Sequence, residues 1–120
     1  MAEALPEPAE RGKLTISPRV VERVATMAAR EVDGVVPVTS TLDRLASRSL
    51  PKADAHLAGQ RTRIQMSIAA AWPKPLPEVA AAVRDRVSER VASLVSLTVD
   101  GVSVEVSSVV HAESDERRVQ

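Results

Sequence analysis

Trp72 is the only aromatic residue in this chain, which has no Phe and no Tyr. Any core must therefore be aliphatic, and apolar residues make up 44% of the sequence, enough to build one. Valine and alanine are small and stiff, and they favour thin two-layer packing. The length, 120 residues, suits one compact domain. Trp72 is followed by three prolines in five positions, Pro73, Pro75 and Pro77. Proline fixes its own φ and restricts its predecessor, so this corner is rigid without glycine. A large aromatic side chain there is expected to plug the open end of a small-residue core, contributing about 2–3 kcal/mol. The competing reading is a partner contact, because tryptophan is enriched at interfaces.

The apolar period changes several times along the chain. "KLTIS" (13–17) reads as a short strand with Leu14 and Ile16 on one face. Ser17 offers an N-cap and Pro18 suits the first helical position. Val20, Val21, Val24, Ala25, Ala28 and Val32 then recur at helical spacing, and Gly34 ends the helix. "GVVPVTS" (34–40) reads as a short strand made irregular by Pro37. Residues 39–61 read as a long basic connection, with a helical turn near Leu42–Leu45. "TRIQMSIAA" (62–70) alternates, with Ile64, Met66 and Ile68 inward. Pro77 opens a second helix whose stripe is Val79, Ala80, Val83, Val87, Val91 and Leu94. Asp100–Gly101 is a turn signal before a last alternating strand, "VSVEVSSVV". The expected fold is α+β: a two-layer sandwich in the order β-α-β-β-α-β, with two helices on one face of a small, mostly antiparallel sheet. Residues 1–11 and 112–120 read as disordered tails around a single domain at 12–111.

Several function classes lack their residues. Without cysteine there is no thiolate nucleophile and no zinc–thiolate site. His56 and His111 have no second histidine at ligand spacing, so no metal or other cofactor is expected. Each glycine sits at a break between elements, and no phosphate-cradling loop or serine elbow is present. No catalytic residue is singled out. Net charge is zero, which argues against a broad nucleic-acid footprint, and the strands carry no aromatic platform for bases. The start of the sequence lacks the basic and apolar regions of a signal peptide, and no apolar run approaches a membrane span. The expectation is a cytoplasmic protein that reaches a membrane only through a partner.

The helix surfaces carry the remaining signal. At about 100° per residue, Arg19, Arg23 and Arg30 fall on the side of the first helix away from its valines. Glu78, Asp85 and Glu89 fall opposite the valine stripe of the second. Exposed charges are usually no more than solvated faces. The sharper reading packs one copy's first helix on the next copy's second, a heterologous contact that gives rings or filaments. Arg44 and Arg48, set among leucines in the long connection, and Trp72 are the candidates for docking another partner.

Three segments resemble one family. "RGKLTISPRVVERVATMAAREVDGVV" is similar to the opening of the bacterial alkaline shock protein and Gls general stress protein family, the envelope stress response proteins. The matching positions are Gly12, Ile16–Ser17 and the exit Glu31-Val32-Asp33-Gly34-Val35. "PLPEVAAAVRDRVSERV" resembles the family's proline-led helix and "LTVDGVSVEVSSVV" its closing strand, so the likeness spans roughly residues 12–110. It implies a non-enzymatic cytoplasmic protein that supports the cell envelope, self-associates, and docks to a membrane-anchored partner. The alternative left by the residues themselves is a small RNA- or ligand-binding module using the basic 39–61 connection.

Overall fold

A computed structural model describes residues 15–39 and 49–111. The first helix, α1 (Pro18–Arg30), starts as its residues dictate. Ser17 is extended and its Oγ accepts the Arg19 N–H at 3.1 Å, with Pro18 at the first helical position. Val21, Ala25, Ala28 and Ala29 form its buried side. Gly34, at φ 102°, turns the chain out of the helix.

Three strands follow the order β1 (Lys52–Ala58), β2 (Arg61–Trp72), α2 (Leu76–Val95), β3 (Thr98–His111). The sheet order is β1-β2-β3. β1 and β2 are an antiparallel hairpin closed by Gly59–Gln60, with Gly59 at φ 64° in the first loop position. β2 and β3 are parallel, which requires the α2 crossover. Both helices cover one face. Ala53, Ala55, Thr62, Ile64, Met66, Ile68 and Val102 are buried beneath them, while Lys52, Asp54, His56, Arg63, Gln65, Ser103 and Glu105 stand exposed on the other face. Thr62, the one buried polar side chain among the described residues, donates its hydroxyl to the His56 carbonyl at 3.2 Å.

The α+β class, the two helices and the single covered face match the sequence reading. The order differs, being α-β-β-α-β with a mixed three-stranded sheet. Residues 15–17 lead irregularly into the cap instead of forming a strand. The expected strand at 34–40 is reduced to two isolated bridges, Val35 with Ala70 and Val38 with Leu50, because Pro37 between them has no N–H to give a ladder. The 39–61 connection contains β1, whose buried inward positions Ala53 and Ala55 are too small to mark a strong apolar face. The Asp100–Gly101 pair does not turn the chain. It lies inside β3 at a bulge, where Thr62 pairs with Val99 and Arg63 with Gly101. On α2, Leu94 is 66% exposed and Val95 is buried in its place. The expected tails, the helical turn at 42–45, Leu14, Arg44 and Arg48 lie outside the described residues.

Three sets of ion pairs tie the elements together. Glu31, just past α1, accepts from Arg86 at 2.7 Å and pairs with Arg90 at 2.8 Å, joining the end of α1 to α2. Lys74 in the proline corner pairs with Asp33 at 2.7 Å. The bulged Asp100 accepts from Arg61 Nε at 3.0 Å and Nη2 at 2.6 Å. The Arg61 hydrogen bond, ahead of its charge, holds the Asp100 carboxyl below the usual carboxylate range. Lys74 does the same for Asp33. A lowered folded-state pKa contributes stability that is fully present above the ordinary value of 3.8 and is lost as pH falls through the folded value. Asp100→Asn should therefore unfold at lower urea than wild type at neutral pH, and the gap should close as pH drops below about 4. A gap that widens in acid contradicts this sign.

Gly34 has a second role. A Cβ at its position would meet Val79 Cγ2 at 2.9 Å, so only glycine lets the α1 exit pass under α2. Gly34→Ala combines that clash with a positive φ, and should cost about 1–3 kcal/mol in equilibrium unfolding. A neutral result would mean the backbone relaxes there freely.

Candidate functional site

The chemistry of the described surface lies on the helices. Arg19, Arg23 and Arg30 are all exposed, and with Met27, 60% exposed, they form one stripe along α1 at steps of four, four and three residues. Glu78, Asp85 and Glu89 are exposed on α2, and Ala82 and Ala92 complete their stripe at steps of four, three, four and three residues. None of the six charged side chains forms an ion pair among the described residues. The fold thus sets a basic stripe and an acidic stripe on two outer helix faces without joining them in one chain. The other charges of α2 are divided: Arg86 and Arg90 are taken by Glu31, while Arg84 stands exposed beside Asp85.

Trp72 is not the plug that the corner suggested. It is 51% exposed, and its ring lies 5.9 Å from that of its β3 neighbour His111, tilted by 36°. Val79 is buried in the core with Val35 and Leu76 packed against that cluster, and Trp72 is not part of it. Half of the indole is therefore available to a partner. The docking candidates Arg44 and Arg48 lie outside the described residues.

Sequence reasoning missed the space beside α1. A cleft of about 420 Å³ runs between α1 and the outer edge of β1, with Arg19, Glu22, Arg23, Lys52 and Ala53 among its walls. Within it the Glu22 carboxylate accepts the backbone N–H of Ala55 at 2.9 Å. The only signal was a charged residue on the half-buried flank of a helix. No group of three or more metal-binding side chains comes together among the described residues. Among the described residues, the shifted titrations, at Asp33, Arg61 and Asp100, arise from surface ion pairs.

The uncharacterized protein YqhY of Bacillus subtilis (strain 168) is 26% identical over 104 residues, covering 82% of this chain and 77% of its own length. Among solved structures, MamM-CTD is similar with a TM-score of 0.48 and 20% identity, over 75% of this chain and 96% of that one. A cadmium form of a MamM CTD variant matches with a TM-score of 0.49 and 20% identity, over 77% and 98%. Those two likenesses concern the fold alone. The family model matches residues 6–111, nearly the whole chain, and the chain belongs to the alkaline shock protein 23 family, described as having a cell envelope-related function.

Proposed function

We propose that this chain is a non-enzymatic structural protein of the envelope stress response, which assembles with copies of itself and docks to a membrane-anchored partner. The observation that carries the reading is the pair of opposite, exposed stripes, Arg19-Arg23-Arg30 on α1 and Glu78-Asp85-Glu89 on α2. A basic face on one copy meeting an acidic face on the next is a heterologous contact, and repetition of that contact builds a ring or filament. No helix among the described residues is long and apolar enough to cross a membrane. In this reading membrane contact therefore goes through a partner, from the cytoplasmic side. The half-exposed Trp72 supports a docking role at the end of the sheet. The reading includes no catalytic step, metal or cofactor. It is favoured over RNA binding because, among the described residues, the exposed sheet face offers a base a single imidazole, His56, and no Phe or Tyr.

Reversal of all three α1 arginines to glutamate should weaken self-association by about tenfold or more in sedimentation velocity. Since the positions are exposed, melting should change by no more than about 0.5 kcal/mol. Wild-type assembly should also loosen with salt, as contacts between exposed charges do. Assembly that persists unchanged in the triple variant rules the contact out. Trp72→Ala should keep the wild-type melting temperature and leave the membrane fraction of native cells. Full membrane recovery of that variant would remove Trp72 from the docking surface.

A further inference from the structure

Among the described residues, no strand pairs with the outer edge of β1 in the sheet order β1-β2-β3. An edge strand presents a row of backbone donors and acceptors to whatever lies beside it. Ala55 donates its N–H away from β2, to Glu22 at 2.9 Å. In an antiparallel pair, residues two apart point the same way. The N–H and C=O groups of Ala53 and Leu57 therefore also face outward, and Ala53 lies in the wall of the 420 Å³ cleft. α1 forms the opposite wall. A groove between an edge strand and a helix is the geometry of peptide recognition by strand addition, in which main-chain bonds supply affinity and flanking side chains supply specificity.

The charges of the cleft point to its occupant. Arg19, Arg23 and Lys52 stand around it, with Glu22 as the one carboxylate among the described residues of its walls. Glu22 already places a carboxylate oxygen where the carbonyl of an added strand would bond to Ala55. We propose that this cleft takes an extended acidic segment of a partner protein, which adds to β1 as a further strand. Its backbone bonds to Ala53 and, once Glu22 swings aside, to Ala55. Its acidic side chains meet Arg19, Arg23 and Lys52. Glu22 acts as an internal stopper that blunts the edge until the segment arrives. This site lies on the sheet edge and is distinct from the contact between helix stripes proposed above, although Arg19 and Arg23 belong to both.

The test is fluorescence anisotropy with a labelled nine-residue peptide alternating glutamate and valine. It is run on the full chain and on the chain with Glu78, Asp85 and Glu89 reversed, which blocks the helix-stripe contact and leaves the cleft intact. A control peptide carries proline in place of each valine, keeping the charge and removing the N–H groups that a ladder needs. The alternating peptide should bind both chains, with Lys52→Glu weakening it about tenfold and Glu22→Gln, which keeps an acceptor for Ala55 but removes the competing charge, tightening it several-fold. Hydrogen exchange at the Ala53 and Leu57 amides should slow on binding. Equal binding of the proline peptide, indifference to Lys52→Glu, unchanged exchange at Ala53 and Leu57, or no binding to either chain would each overturn the proposal. Because Lys52 and Glu22 lie outside both helix stripes, failure here leaves the assembly reading standing, and failure of assembly leaves this one standing.

Discussion

Five valines spaced every fourth residue along α2, from Val79 to Val95, hold the two layers together. Each is buried, and a fully buried valine contributes about 1.5–3 kcal/mol. A step of four residues overshoots one helical turn by about 40°, so the column winds around the helix and serves two neighbours, α1 and β3. In a chain without core aromatics, such close packing of small side chains is the available source of stability. It sets strict local conditions. Gly34 must lack a side chain so that Val79 can sit against the α1 exit. The parallel β2–β3 pairing follows, because α2 must cross the sheet to lay its valines down.

Once the valines face inward, the outward faces are free to carry charge. Glu31 binds Arg86 and Arg90 and so ties the end of α1 to α2. The stripes of α1 and α2 are left pointing outward with opposite sign. In the reading proposed for this member of a family with a cell envelope-related function, those faces, the cleft beside β1 and the exposed Trp72 are the surfaces offered to other chains. A rigid helix layer over one sheet face is a suitable carrier, since it holds each surface in a fixed position.

Much of this was legible in the sequence, and the gaps have physical causes. Ser17-Pro18, Gly34 and the valine periods placed both helices, because caps and apolar stripes act locally. Ile64, Met66 and Ile68 placed β2. β1 was hidden because Ala53 and Ala55 bury too little surface to mark a face, although the strand itself pairs along its whole length. Asp100–Gly101 was misread because the same dipeptide serves a turn or a bulge, and only the β2 partner decides which. Trp72 was misread because a strand-end side chain is directed by tertiary neighbours, here His111 on the parallel strand. The charged stripes were legible since helical spacing alone defines them. Glu22 and Glu31 were not, because their partners lie far along the chain, at Ala55, Arg86 and Arg90.

The central claim is that opposite helix faces of neighbouring copies recognise each other by charge. The most direct measurement mixes two reversed chains in sedimentation velocity. One carries glutamate at 19, 23 and 30, so that both of its stripes are acidic. The other carries lysine at 78, 85 and 89, so that both are basic. Each alone should stay small, since like charges then face each other. Mixed in equal amounts, they should restore assemblies of wild-type size, because every contact again joins opposite signs. If the mixture stays as small as its parts, or if either chain assembles alone, the helix stripes do not hold the copies together.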